Sequence, residues 1–196
     1  MQRATKAARS EATRGHLIGT ATRLFTERGY AGVGTEEIVR EAGVTRGALY
    51  HHFADKRALF RAVHERVERD VVLRIARQVA GVGDPWEQLV AGMRAYLDAC
   101  TDPTVTRVTL IDAPSVLGWK LWREIDARYG LGLITSVLGA AMEAGGLRRQ
   151  AVEPLAHLLL AALAEAGLMV GTAPDPAAAR ADVEGPLLSL LEGLRG

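Results

Sequence analysis

Thr35-Glu36-Glu37-Ile38, then Ala42-Gly43-Val44-Thr45, then Gly47-Ala48-Leu49-Tyr50-His51-His52-Phe53, and finally Asp55-Lys56 with Leu59 behind them, fill the span 35–59. Thr35 is placed to cap a helix whose first turn holds Glu36 and Glu37, where the helix dipole favours acids. That helix runs to Ala42. Gly43 supplies the left-handed conformation that a sharp reversal needs, Val44 tucks into the core, and Thr45 caps a further helix from Arg46 to about Phe53. Two short helices across so tight a turn are the helix-turn-helix plan. Asp55 caps the next helix, in which Leu59, Val63, Val67 and Val71 recur every four residues among charges and bury one stripe.

N-terminal to this stretch, Leu17, Ala21, Leu24 and Phe25 share a helical face over residues 13–28, and Gly29 ends that helix. Residues 1–12 are polar and basic with no apolar run behind them. They read as a disordered arm, and as neither signal peptide nor membrane anchor. The organisation expected is therefore an arm over 1–12, a three-helix DNA-binding unit over 13–60 and a second helical unit over 61–196.

Charge separates the two units. The chain carries a formal +1. Up to Arg57 there are ten Lys or Arg against six acids, +4, which leaves −3 for the remainder. A basic head on an acidic body is the pattern of a protein that meets a polyanion at one end. Cys100 is the only cysteine, so no internal disulfide forms, in keeping with a cytoplasmic protein.

The body reads as helices throughout. Residues 81–85 (Gly-Val-Gly-Asp-Pro) form a break with Pro85 at the first position of the next helix, and Leu89, Met93, Tyr96, Leu97 and Cys100 share one face of that helix. Thr101-Asp102-Pro103 and Ala113-Pro114-Ser115 read as further breaks. A long helix is expected from Trp119 to Ala144, stopped by Gly145-Gly146. Glu153-Pro154 opens the next, and residues 173–176 close it and open the last, which Gly185-Pro186 should kink or split. The most apolar run, 155–171, is interrupted by His157 and Glu165 and is short of the roughly 20 residues that span a bilayer, so it reads as a buried helix. No segment alternates with period two, and the fold class is all-α.

The motif residues, with the helix before them, closely resemble the DNA-binding domain of the tetracycline-repressor (TetR) family of bacterial regulators, over about residues 13–60. The body resembles that family in helical plan and length. The resemblance implies a DNA-binding transcription regulator: a repressor that works as a homodimer and is released from operator DNA by a small apolar or amphipathic ligand. It implies that Thr35, Tyr50, His52 and Lys56 contact phosphates and that the last two helices pair with those of a second copy. Gly167 and Gly171 would then permit close approach between helices.

Physical reasoning agrees about the head. The second helix of the motif enters the major groove and its early residues reach base edges. Thr45 and Arg46 lead it, and Arg46 either reads a guanine edge bidentately or holds phosphate. Tyr50 and His51 offer apolar faces with polar tips, and Gly47 completes the candidate DNA-binding set. Adjacent His51 and His52 do not share a helical face, which argues against a metal pair, and no cofactor motif is present. In the body the candidate pocket residues are Trp86, Met93, Tyr96, Leu97, Cys100, Ile111, Trp119, Trp122, Leu138, Met142 and His157. Rival readings stand beside this one, among them a DNA-binding activator or a regulator without ligand. Ser115, Asp112 and His157 are the residue types of a hydrolytic triad, although no glycine-framed nucleophile turn surrounds Ser115. The motif could also serve a protein partner, with no operator.

Overall fold

A computed structural model describes residues 2–196. Ten α-helices and two π-helical segments make up its regular structure. They are α1 (Gln2–Arg28), α2 (Thr35–Glu41), α3 (Arg46–His52), α4 (Lys56–Val79), α5 (Pro85–Ala99), the π segment π1 (Val105–Asp112), α6 (Ala113–Leu117), α7 (Trp119–Asp126), the second π segment π2 (Ala127–Leu131), α8 (Gly132–Glu143), α9 (Val152–Thr172) and α10 (Pro176–Glu192). Among the described residues the only β feature is an isolated bridge between Leu147 and Arg195.

The caps follow the sequence at most junctions. Thr45 Oγ1 accepts the Ala48 N–H at 3.1 Å, Asp55 Oδ1 the Ala58 N–H at 2.6 Å, and Asp84 Oδ1 the Glu87 N–H at 2.9 Å. Gly29, Gly43 and Gly145 take φ of +70°, +60° and +75° and end α1, α2 and α8. One cap differs. The N-cap of α2 is Gly34 in an extended conformation, and Thr35 is the first helical residue, so no side chain caps that helix.

Four further expectations are corrected. The chain is helical from Gln2, so it is not an irregular arm over residues 2–12; Met1 lies outside the described residues. Ala7, Ala8 and Ala12 are strong helix formers, and the Glu11–Arg14 ion pair at 3.7 Å lies one turn apart. Residues 113–115 are not a break either, because π1 runs directly into α6 and Pro114 sits in its first turn. The break falls at Gly118, whose φ of +81° no other residue type adopts easily. Pro186 does not split α10. It deprives the Asp182 carbonyl of a partner, but Asp182 is on the exposed side, where water replaces the lost bond. Finally, α9 is buried on one face only. Leu155, Ala156, Leu160, Ala166, Gly167 and Val170 point inward while Leu158 and Met169 are exposed.

One apolar core runs from Leu17 in α1 to Leu191 in α10. α4 is common to both ends of it. Its Leu59, Phe60 and Val63 pack under the helix-turn-helix, and its Val71 and Ile75 pack among the body helices. Head and body are also joined directly. The Asp112 carboxylate accepts the Tyr30 N–H at 2.6 Å, and Arg57 donates to the Val116 and Leu117 carbonyls at 3.0 and 2.8 Å.

Candidate nucleic-acid interface and interior cavity

The surface of α3 is built by what the core takes away. Leu49 is fully buried and Phe53 nearly so, which turns Arg46, Gly47, Tyr50 and His51 outward. Tyr50 is 41% exposed and the Arg46 guanidinium lies over its ring, 5.5 Å from the centroid. Arg46 also stands 3.5 Å from Glu36 of α2, with both side chains exposed, so water screens the pair and leaves the guanidinium free to exchange partners. His51 and the half-buried His52 meet edge to face at 5.1 Å. His16 Nε2 stands 3.1 Å from the Ala42 carbonyl and fixes the end of α2 against α1.

Gly47 is informative because nothing inside the chain requires it. A Cβ there would meet only Thr45 Oγ1, at 3.9 Å. A helical glycine costs up to about 1 kcal/mol relative to alanine. Packing within the chain therefore does not account for Gly47, as it does not for Gly15, Gly139 or Gly185 in other helices.

Lys56 engages its amine within the chain. Its ammonium donates to the Tyr30 and Val33 carbonyls at 2.8 and 2.7 Å and sits 4.0 Å over the Tyr30 ring. Partial burial lowers its pKa. The amine is thus a clamp on the turn between α1 and α2, and the group that Lys56 leaves free toward an anion is its backbone N–H in the first turn of α4. Thr35 is half-buried and Thr45 exposed, each at the start of its helix.

A cavity of about 90 Å³ lies between five helices, α4, α5, α8, α9 and α10, and is closed by Asp126 at the end of α7 and Gly130 of π2. Of the sequence candidates only Met93 and Tyr96 face it. Trp86, Leu97, Cys100, Trp122, Leu138 and Met142 are core, Ile111 is exposed, and Trp119 is 67% exposed. His157 is exposed on α9. The reason is rotational: α5 packs against both α4 and α9, so neighbouring apolar residues on it serve different interfaces. The Trp122 indole is used structurally, donating to the Thr109 carbonyl at 3.1 Å.

Sequence reasoning missed the polar part of the cavity. Glu68 of α4 lines it and is only 7% exposed, and Asp126 of α7 lines it beside Arg123, 3.3 Å away. Burial pushes the Glu68 carboxyl up to about 8, with Asp126 adding to the effect. Burial likewise pushes Asp126 up to about 6, against the pull of Arg123 and His157. The signal was present, since Glu68 stands in register with Val71, Val72, Ile75 and Val79, where the stripe calls for an apolar residue.

Gly167 and Gly171 serve packing within the chain. A Cβ on Gly167 would come within 2.7 Å of Cys100 Sγ, and one on Gly171 would overlap Thr106. These glycines let α9 lie against α5 and π1. The triad residues are engaged separately: Ser115 Oγ donates to the Asp112 carbonyl at 2.9 Å, the Asp112 carboxylate is held by Tyr30 and Arg107, and His157 lies near Asp126.

Comparison with known proteins bears on both ends of the molecule. Residues 17–63 match the family model described as bacterial regulatory proteins, tetR family, and residues 86–194 match the one described as tetracyclin repressor-like, C-terminal domain. The transposon Tn10 TetC protein of Escherichia coli is 27% identical over 143 residues, 73% of this chain and 72% of TetC. The transcriptional regulator AcrR of Shigella flexneri is 38% identical over 107 residues, 54% of this chain and 47% of AcrR. The crystal structure of a TetR-family transcriptional regulator from Pectobacterium atrosepticum superposes with a TM-score of 0.85 at 33% identity, covering 96% of each chain.

Proposed function

Because the chain belongs to the TetR family of DNA-binding transcriptional regulators, we propose that it is a cytoplasmic repressor that binds a pseudo-palindromic operator as a homodimer and leaves it when a small molecule enters the interior cavity. The observation that carries this reading is the surface of α3, where Arg46, Tyr50 and His51 project around a glycine that the fold does not need. Thr45, Arg46, Gly47, Tyr50 and His51 meet the major groove, while Thr35, His52 and the first turn of α4 with Lys56 meet phosphates. Its activity is binding rather than catalysis.

The outer faces of α9 and α10 carry Leu158, Met169 and Leu190, all exposed in the single chain. α9 is long and apolar enough to cross a membrane. Its polar interruptions and its seat against α5 and π1 favour a second copy of this chain as the cover for that face. The pair would hold two copies of α3 about one DNA turn, roughly 34 Å, apart. A ligand that prefers a different spacing weakens DNA binding by its differential affinity, typically about 1–3 kcal/mol.

The test is a footprint on the DNA upstream of the protein's own gene at two salt concentrations, with Tyr50→Ala as control. Protection of a pseudo-palindrome that weakens with salt and disappears in Tyr50→Ala is the expected result. Absence of protection at low salt would overturn the reading in favour of a helix-turn-helix that serves a protein partner.

A further inference from the structure

The cavity concentrates its polarity in one sector. Glu68, Tyr96 and Asp126 bring polar side chains to one part of a wall that is otherwise apolar apart from Gln88, whose amide donates to the Val82 carbonyl, and no lysine, arginine or histidine lines it among the described residues. Asp126 has Arg123 beside it. Glu68 is more than nine-tenths buried, and among the described residues it has neither an ion-pair partner nor a hydrogen-bond donor; only burial and the neighbouring Asp126 act on its carboxyl. Around it α4 supplies Val71 and Ile75, α8 Ile134 and α10 Leu187. A carboxyl costs far more than an apolar side chain at such a position unless something pairs with it.

Each ligand class meets this wall differently. A carboxylate would face two acids with no cation on the lining. A neutral alcohol would use the hydrocarbon and gain at most one neutral hydrogen bond from the protonated Glu68 carboxyl. A cation pairs with Glu68, next to the Tyr96 side chain on the same lining. We infer that the cavity takes a small apolar amine or quaternary ammonium ion, its positive centre between the Glu68 and Asp126 carboxyls and its hydrocarbon against Val71, Ile75 and Leu187. The inference rests on the reading of this cavity as the effector site.

A chemical consequence distinguishes this ligand from others. At neutral pH Glu68 is protonated because burial disfavours its charge. An entering cation reverses the preference, so Glu68 gives its proton to solvent and the charge of the occupied cavity is unchanged. The titratable groups facing Glu68 are Tyr96 on α5, Cys100 at its C-terminal cap and Asp126 on α7, the last with Arg123 and His157 beside it. Burial holds the thiol and the phenol neutral, with the Cys100 thiol pushed up to about 12.

The test is calorimetric titration of the full chain with hexyltrimethylammonium, 1-hexanol and hexanoate, in two buffers of different ionisation enthalpy at pH 7. The ammonium ion has no proton to lose, so any proton released comes from the protein. The expected result is binding at least about tenfold tighter than the alcohol or the carboxylate, release of close to one proton per chain, and affinity rising with pH by up to about tenfold per unit toward pH 8. Glu68→Gln, which keeps the shape of the side chain, abolishes the release and weakens the ammonium ion alone. Hexanol or hexanoate binding as tightly, no ammonium binding, or proton release that survives in Glu68→Gln would overturn the inference. If Glu68→Gln does not fold, the ligand ranking and proton count of the wild type decide. Footprinting with the ammonium ion present separates the two claims: binding without loss of operator protection removes the reading of this cavity as the site that releases DNA and leaves its assignment to a cation standing.

Discussion

The Asp112 carboxylate accepts the backbone N–H of Tyr30 at 2.6 Å, joining the end of π1 to the turn between α1 and α2. The same turn is held from below by the Lys56 amine, and Arg107 lies against Gly29 while standing 3.6 Å from Asp112. A hydrogen bond to a charged acceptor contributes about 1.5–3 kcal/mol. Asp112→Ala is expected to lower the stability of the chain by about that amount, read as a fall in the urea midpoint.

Gly47→Ala separates folding from recognition. Nothing in the chain obstructs a Cβ there. The fold should gain up to about 1 kcal/mol while operator affinity falls by at least about tenfold. Thermal melting and a gel-shift titration on the same sample check both halves, and unchanged DNA affinity would return Gly47 to the role of ordinary helix residue.

His64 is fully buried in α4 and neither ring nitrogen has a partner. Burial holds its pKa down at about 4 against 6.5 in the unfolded chain. Below pH 6.5 the unfolded chain binds a proton that the folded chain refuses, so this contribution is complete above pH 6.5 and is lost as pH falls through 4, on the order of 3 kcal/mol in all. His64→Leu removes that acid sensitivity and should stabilise the chain by about 1–3 kcal/mol at pH 7, measured by urea unfolding at pH 5 and pH 7.

Glu68 acts in the opposite direction. Its pKa rises from 4.5 to about 8 on folding. Between those values the folded chain holds a proton that the unfolded chain has released, so stability from this group is greatest below pH 4.5 and declines until pH 8, by on the order of 4 kcal/mol. Above pH 6.5 the histidine no longer offsets it. Unfolding free energy should therefore fall from pH 6.5 to 8 in the wild type and stay level in Glu68→Gln.

The outer face of α9 gives a further prediction. Met169→Glu puts a charge among exposed apolar residues and costs the single chain little. Sedimentation should then find a monomer, and the footprint should shrink or vanish. A dimer that survives Met169→Glu and Leu158→Glu together would place the partner elsewhere.

The helix-turn-helix was legible because local rules set it. Gly43, Thr45, Asp55 and Leu49 each have one low-energy role at their position, and the structure uses them so. The cavity was not legible from residue type. Trp86, Trp122 and Met142 are large and apolar, but which side of a helix meets a void depends on the packing angles of five helices, which no single helix encodes. The partners of the Lys56 amine were hidden for a related reason. Its position at the start of α4 suits an anion, but two carbonyls of a distant turn lie within its reach. Glu68 was readable as an acid in an apolar stripe, and the π geometry of Val105–Asp112 leaves no comparable mark in the sequence.

That segment has a mechanical meaning. A π turn fits one more residue into each hydrogen-bonded ring than an α turn does, so π1 holds surplus chain at the point where the body grips the head. Drawing one residue out of such a turn rotates everything beyond it by roughly 100° and advances it about 1.5 Å. Asp112 is the last residue of π1. The link to Tyr30 is therefore carried by the end of a segment whose register is offset from that of a uniform α-helix, so the grip on the head depends on that one surplus residue staying in place.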